Sequence, residues 1–128
     1  MAQVLLFHVD DKKSQEIYRV AEPLGLPCLR IPESDSGKTL AVLTGREPDR
    51  AVFAPASPLS REMLVMDDLN PIQFRLFLDS LRLRRISVLL KAVVTEHNLP
   101  WTAAELHREL LAEHTAIQQA QNSKQPAE

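Results

Sequence analysis

Two pairs of neighbouring aspartates are the residues whose type and spacing most directly suggest chemistry. Asp10 and Asp11 follow an apolar run near the start of the chain. Asp67 and Asp68 follow a second apolar run in its middle. Carboxylates gathered at one edge of a protein can hold Mg²⁺ through their oxygens or raise one another's pKa. Acidic residues between a strand and a helix also serve as N-caps, and we favour this structural interpretation over a site.

A lysine within an apolar segment is the second candidate. Lys91 alternates onto one strand face with Val93 and Thr95. A desolvated lysine lowers its pKa and can act as a nucleophile or clamp an anion. Its stem can instead pack along the sheet while the amine reaches an edge, which we favour.

Trp101 is most simply a hydrophobic staple before a helix. The candidate binding edge is the set Asp10, Asp11, Asp67, Asp68, Lys91, Thr95, Asn98 and Trp101.

The other common site chemistries find little support in the sequence. The chain has 3 glycines against 9 prolines, and no two glycines are close enough to form a glycine-rich phosphate loop. His107 and His114 lie about 10 Å apart along a helix, too far to share a tetrahedral zinc. No catalytic triad stands out, so we assign no catalytic residue and no metal ligand.

A locally basic stretch runs from Arg75 to Lys91 and also includes Arg82, Arg84 and Arg85. Such a stretch can contact phosphates or an acidic partner, but the one aromatic residue between these cations, Phe77, belongs to the apolar stripe of the predicted helix. We therefore favour a solvated helix end whose positive charges complement the helix dipole.

Composition and charge narrow the class of protein. The chain has 128 residues, of which 45% are hydrophobic and 25% charged, as in an average globular domain. A net charge of −2 offers no general attraction to nucleic acid or to an anionic membrane, so neither is an expected partner. The lone Cys28 favours a reducing compartment, and no apolar stretch is long enough to span a bilayer. We predict a soluble cytoplasmic protein.

The elements that must position these residues alternate between strand and helix patterns. Strands are predicted over residues 4–9, 26–31, 63–66 and 87–94, with helices after the first, third and fourth and a short helix over residues 38–44. This pattern predicts a three-layer α/β fold with a small, mostly parallel four-stranded sheet of order 2-1-3-4. The first and last helices are expected on one face, and the others on the opposite face. The aspartates then meet at the switch point between the first and third strands, where ligands bind in such sheets.

One domain is predicted over residues 1–117, followed by a disordered polar tail over residues 118–128. Residues 32–61 show little pattern, and residues 51–54 form either a brief strand or a loop. We detect no internal repeat in the sequence.

Parts of the chain resemble response-regulator receiver domains. Residues 4–11 and 64–71 resemble the strands of that family that end in an acidic pair and in a phospho-accepting aspartate, and Thr95 resembles its Ser/Thr at the end of the fourth strand. The resemblance implies a Mg²⁺-binding phospho-acceptor, with Asp67 or Asp68 as acceptor or ligand and Lys91 or Thr95 as phosphate contact. The lysine-bearing fifth strand of that family has no counterpart here.

A second resemblance covers the last half of the chain. Residues 91–101, Lys-Ala-Val-Val-Thr-Glu-His-Asn-Leu-Pro-Trp, resemble the signature of an uncharacterised family of bacterial proteins, the domain of unknown function DUF3783. The resemblance runs from about Met63 to Ile117 and implies a shared fold without a known activity.

Two functional hypotheses follow. The first is a non-enzymatic module that interacts with or regulates a protein partner and needs no cofactor, because no complete catalytic set is present. The alternative is a receiver-like Mg²⁺-binding phospho-acceptor, or a small Mg²⁺-dependent enzyme, that uses the acidic edge.

Overall fold

The computed structural model describes residues 1–49 and 55–124, and its centre is a four-stranded sheet. The strands are β1 (Gln3–Phe7), β2 (Cys28–Ile31), β3 (Met63–Asp67) and β4 (Leu90–Val93). They lie in the order β2-β1-β3-β4, as predicted. β1 pairs with β2 and β3 pairs with β4 in parallel, whereas the central pair of β1 and β3 is antiparallel. The mostly parallel sheet is therefore confirmed.

Helices cover both faces of the sheet, which confirms the three-layer α/β prediction. They are α1 (Asp11–Ala21), α2 (Leu40–Leu43), α3 (Pro71–Leu83) and α4 (Ala103–Lys124), with 3₁₀ turns at Glu22–Leu24 and Glu33–Asp35. α1 and α3 pack on one face, and α2 and α4 pack on the other. The predicted distribution of the helices is wrong, because a right-handed crossover from a reversed β3 places α3 on the same face as α1.

β1 is apolar from Val4 to Phe7 because it is central and covered on both sides. Val4 and Leu6 belong to the core beneath α1 and α3, and Leu5 and Phe7 belong to the core beneath α2 and α4. All four side chains are almost fully buried. Each such burial contributes about 1.5–3 kcal/mol, so this strand anchors both layers.

The helix starts follow the signals in the sequence. Asp10 caps α1, since its carboxylate accepts a hydrogen bond of 2.7 Å from the amide of Lys13. Asn70 and Gln73 form a complete capping box at α3, with Pro71 in its first turn. These contacts satisfy amides that a helix otherwise leaves without partners.

The short helix predicted over residues 38–44 is present as α2. Thr39 caps it by accepting a hydrogen bond of 3.3 Å from the amide of Val42. The helix ends after one turn, and Gly45 beyond it adopts a left-handed conformation with φ of 84°. The brief strand or loop predicted at residues 51–54 lies outside the described residues.

The last helix is longer than expected. The prediction places the end of the folded domain at residue 117, whereas α4 continues to Lys124. Residues 118–122 of this helix are exposed, in keeping with their polar composition. None of the helices within residues 1–49 and 55–124 combines the length and the apolar character needed to cross a bilayer.

The chain contains an internal structural repeat that the sequence does not reveal. The first half runs from β1 to α2, and the second half runs from β3 to α4. In the central antiparallel pair, the first residue of each strand lies opposite the last residue of the other, and Leu5 lies opposite Val65. An approximate two-fold axis at this pair therefore relates β1, α1 and β2 to β3, α3 and β4.

Equivalent turns confirm this relation. His8 after β1 and Asp68 after β3 both adopt left-handed conformations, with φ of 59° and 61°. After α1 and α3, Gly25 and Arg85 do the same, with φ of 70° and 57°. The backbone thus takes the same path at two places in each half, although the residues there differ.

The two halves also exchange backbone hydrogen bonds in a symmetric way. The amide of Leu40, the first residue of α2, donates to the carbonyl of Trp101 at 2.9 Å. The amide of Ala103, the first residue of α4, donates to the carbonyl of Lys38 at 3.1 Å. Each half therefore satisfies a free amide at the start of the other half's second helix.

Candidate functional site

The acidic pairs lie at opposite ends of the sheet. β1 and β3 are antiparallel, so Asp10 and Asp11 follow β1 at one end, whereas Asp67 and Asp68 stand at the other. The expected convergence at one switch point is therefore wrong, because it required β1 and β3 to run in the same direction. Among the described residues, no group of three or more histidine, cysteine or acidic side chains is placed to hold a metal ion.

The first acidic pair has local structural roles. Asp10 caps α1, as described above. The Asp11 carboxylate accepts a hydrogen bond of 2.6 Å from the guanidinium of Arg30 on β2. Both aspartates are exposed, so these contacts position the loop after β1 at modest energetic gain.

The second pair contains a buried carboxylate. Asp67 is only 2% exposed and pairs bidentately with Arg46 at 2.8 and 3.0 Å. It also accepts a hydrogen bond of 2.8 Å from the Gln3 side chain. The N-terminal ammonium lies 2.7 Å from the neighbouring exposed Asp68, and this hydrogen bond lowers the pKa of that carboxyl. Asp67 therefore ties the loop after α2 to the sheet.

The remaining predicted residues after β4 organise one turn. The amide of Thr95 donates to Asn98 Oδ1 at 2.9 Å, and the amide of Asn98 donates to Thr95 Oγ1 at 3.2 Å. The buried Asn98 also donates to the carbonyl of Val93 at 3.1 Å. Trp101 packs against the core beneath α4 and meets the ring of His97 edge-on at 5.2 Å. Its staple role is thereby supported.

Lys91 is exposed rather than buried. It lies on β4, one of the two edge strands, where its ammonium donates to the carbonyl of Val88 at 2.9 Å. Its partner in the sheet is Leu64, whose side chain belongs to the core beneath α1 and α3, so Lys91 faces the α3 side. The buried lysine considered from the sequence is wrong, and the favoured interpretation of a stem along the sheet edge agrees with the structure.

Lys91 forms part of a groove between the end of α3 and β4, which we call the cationic groove. Its volume is about 490 Å³, and its lining consists of Leu78, Leu81, Arg82, Arg85, Ile86, Ser87 and Lys91. Leu81 and Ile86 are buried and supply an apolar floor. Three cations therefore surround an apolar surface, and no acidic residue is among its lining residues.

Arg85 occupies a backbone conformation that favours glycine. Its φ of 57° is left-handed, a region that costs a residue with a side chain roughly 1–2 kcal/mol. Two backbone hydrogen bonds hold the turn, from Arg85 to the carbonyl of Arg82 at 3.0 Å and from Ile86 to that of Leu81 at 2.9 Å.

The cations of the groove are weakly paired. The guanidinium of Arg82 lies 3.9 Å from Asp79, and both side chains are substantially exposed. Within the described part of the chain, neither Arg85 nor Lys91 forms an ion pair with a carboxylate. The groove can therefore accept an anionic group without first breaking a strong internal ion pair.

Sequence reasoning found the cations but not the site. The basic stretch contains all three, yet the favoured interpretation was a solvated helix end. Arg75 lies away from the groove, in a separate hollow on the outer surface of α3. The turn after α3 folds the chain back onto the sheet edge and so brings together Arg82, Arg85 and Lys91. The left-handed residue of that turn is Arg85 rather than glycine, so the sequence does not mark the turn.

In comparisons with known proteins, the second half of the chain matches a family that has no assigned role. No curated protein and no solved structure matches the chain. The model of the family described as "Domain of unknown function (DUF3783)" matches residues 62–117, which run from just before β3 into α4. The matched region is therefore the second structural half, with the cationic groove inside it.

Proposed function

We propose that this protein is a non-enzymatic interaction module and that its cationic groove holds an extended, acidic and partly apolar segment of a partner protein. The observation that carries the proposal is the placement of Arg82, Arg85 and Lys91 around an apolar floor. The Mg²⁺-dependent alternative has no comparable support, because the acidic pairs lie at opposite ends of the sheet.

Charge complementarity identifies the occupant. Guanidinium groups bind carboxylates bidentately, so Arg82 and Arg85 suit acidic side chains, and the ammonium of Lys91 adds a point charge. Apolar side chains of the same segment would cover Leu81 and Ile86, since burial of apolar surface drives most associations. A segment in which acidic and apolar residues alternate could make both kinds of contact. In an extended chain, successive side chains point to opposite sides, so such an alternation suits an extended segment.

The neighbouring edge strand favours an extended occupant. β4 pairs only with β3 among the described strands, so its outer backbone groups face away from the sheet. Such an edge can add a strand from a partner, with main-chain hydrogen bonds for affinity and side-chain pockets for specificity. The groove contains no aromatic residue for stacking bases, which favours a peptide over a single-stranded nucleic acid.

We place this module in a reducing compartment such as the cytoplasm of a bacterium. This part of the proposal is supported by the free thiol of Cys28, which is the one cysteine of the chain and has no partner for an intramolecular disulfide.

A binding measurement on the whole chain tests the proposal. The probe is a short fluorescein-labelled peptide in which glutamate and valine alternate, followed by fluorescence anisotropy. The variant Arg82→Ala/Arg85→Ala/Lys91→Ala should raise its Kd about 10- to 100-fold, because three ion pairs of about 0.5–1 kcal/mol each are lost.

The matched control is Lys12→Ala/Arg75→Ala/Arg108→Ala, which removes two arginines and one lysine from exposed positions outside the groove. We expect its Kd to stay within about twofold of the unaltered chain. Equal losses in both variants would show attraction to overall charge and would contradict the proposal. Groove-dependent binding of single-stranded DNA without binding of the peptide would contradict the choice of a protein partner.

A further inference from the structure

A second groove lies beside β2, at the opposite edge of the sheet, and we call it the β2 groove. Its volume is about 400 Å³, and its lining consists of Tyr18, Glu22, Gly25, Leu26, Pro27 and Cys28. It occupies the place in the first half that the cationic groove occupies in the second, since both lie between the end of a helix and an edge strand.

The turns that form the two grooves have the same hydrogen bonds. The amide of Gly25 donates to the carbonyl of Glu22 at 3.0 Å, as the amide of Arg85 donates to that of Arg82. The next amide, that of Leu26, donates to the carbonyl of Ala21 at 3.1 Å, as Ile86 donates to Leu81. The positions equivalent to Arg82 and Arg85 are therefore Glu22 and Gly25.

The strand residues of the two grooves correspond as well. In the parallel pairs, Cys28 lies opposite Val4 on β1, and Lys91 lies opposite Leu64 on β3. Val4 and Leu64 occupy equivalent places about the two-fold axis, so Cys28 is the counterpart of Lys91. Each cation of the cationic groove is thus replaced in the β2 groove by a residue that is not cationic.

We infer that the chain is an internal duplication whose β2 groove is a second binding groove, for an extended apolar segment that carries a basic side chain opposite Glu22. This inference rests on the proposed function, because it extends the same mode of binding to the other half.

Charge and burial identify this second occupant. Glu22 is exposed, and it forms no ion pair within the described part of the chain. Burial raises the pKa of the Cys28 thiol to about 11, so the strand side of the groove stays neutral. Leu26 is buried beneath it as the counterpart of Ile86. The β2 groove therefore combines an apolar floor with one negative charge.

A partner that filled both grooves would present two segments of opposite charge. β2 and β4 are the two edge strands, so the segments would lie at opposite edges of the sheet. Linked segments raise each other's effective concentration only if their connection can span the distance between the grooves.

Transfer of the cations tests whether the grooves are equivalent. The variant Glu22→Arg/Gly25→Arg/Cys28→Lys places the three cations at the equivalent positions of the full chain. An added Cβ at Gly25 meets no atom within 4 Å, and Arg85 shows that arginine can adopt this conformation. Calorimetric titration with the glutamate and valine peptide should show one site on the unaltered chain and two on the variant.

The control variant Gln15→Arg/Glu113→Arg/Ala116→Lys makes the same change in charge at exposed positions outside both grooves. It should keep one site. If the transferred variant unfolds cooperatively and still binds one peptide, or if the control also gains a site, the equivalence is overturned. If neither the unaltered chain nor the transferred variant binds the peptide, the proposed function itself fails.

A second titration addresses the native β2 groove. A fluorescein-labelled peptide in which lysine and valine alternate should bind the unaltered chain, and Glu22→Gln should raise its Kd about fivefold. Arg82→Ala/Arg85→Ala/Lys91→Ala should not weaken this binding. Glu16→Gln, an equal loss of charge on α1 and outside the groove, serves as the control. Equal Kd values for the Glu22 and Glu16 variants would overturn the assigned ligand class whatever the acidic peptide does.

Discussion

The two halves of this molecule share a backbone and differ in the charges they present. Most buried positions keep their apolar character across the two-fold axis, as Ile17 and Phe77 or Leu26 and Ile86 show, and the pair Phe7 and Asp67 is an exception. Groove positions change their chemical character, since Glu22 occupies the position equivalent to Arg82, and Gly25 the position equivalent to Arg85. Packing constrains the first set and favours apolar replacements, whereas solvent-facing positions are free to change. The difference separates the positions that the fold constrains from those that it leaves free.

The second helices differ in length for a local reason. α2 ends after one turn, and Gly45 follows it in a left-handed conformation, which is a common stop signal. α4 has no such residue at its equivalent place and continues to Lys124. The family match covers the half with the long helix.

The largest expected effect concerns a buried position where the halves differ in chemistry. Phe7 ends β1, and its counterpart at the end of β3 is Asp67, which is held by Arg46. Asp67→Ala should lower the free energy of unfolding by about 2–4 kcal/mol, because it removes a bidentate hydrogen-bonded pair and leaves Arg46 without its partner. Urea unfolding measures the loss.

The double variant Asp67→Leu/Arg46→Leu should lose less than Asp67→Ala, because apolar residues can replace a buried pair at little cost. A loss below about 0.5 kcal/mol for Asp67→Ala, the range of ordinary surface substitutions, would mean that the pair does not hold the first half to the second.

A smaller effect on the free energy of unfolding concerns the left-handed turns, where substitutions in the two halves should have opposite signs. Arg85→Gly should raise the free energy of unfolding by about 1 kcal/mol, and Gly25→Ala should lower it by about the same amount, because only glycine adopts this conformation freely. Arg85→Gly should also weaken binding of the acidic peptide about fivefold. Thermal unfolding and anisotropy on the same samples check both effects.

Stabilisation without weaker binding would show that Arg85 does not contact the ligand. Lower stability for Arg85→Gly would instead contradict the equivalence of the two turns. Arg84→Gly, at the neighbouring position with φ of −89°, is the matched control and should destabilise the chain.

The smallest expected effect concerns the response to acid. His107 on α4 is buried, its Nε2 accepts a hydrogen bond from the amide of Arg61 at 3.3 Å, and its pKa is lowered, first by desolvation. Below the ordinary pKa of about 6.5 the unfolded chain takes up a proton that the folded chain resists. Stability should therefore fall as pH drops from about 6.5 towards the lowered pKa.

Urea unfolding at a series of pH values measures this slope. His107→Gln keeps a hydrogen-bond acceptor without a titrating ring and should show a shallower slope between about pH 7 and 5. Equal slopes in the two chains would assign the acid sensitivity to other groups.

Much of this architecture was predictable because local signals and burial agreed. The cap at Asp10 and the capping box at Asn70 follow from residues close in sequence, and the strand order follows from the alternation of strands and helices. The direction of β3 was not predictable, because a buried apolar run of residues has the same pattern in either direction. The predicted convergence of the aspartates depended on that direction and was therefore wrong as well.

The candidate site was hidden for a different reason. Arg82 and Arg85 lie at a helix end and Lys91 on a strand, so only the tertiary turn brings them together. The repeat was hidden because the equivalent turn residues, Gly25 and Arg85, share a conformation but no chemistry.

The central strand pair also has a consequence for folding. Within each half, a helix connects two parallel neighbours, so these contacts form between residues close in sequence. Joining the halves requires Leu5 to meet Val65 across about half of the chain, and this long loop closure slows folding more than it lowers stability. Substitutions at that pair should therefore act on the rate of folding.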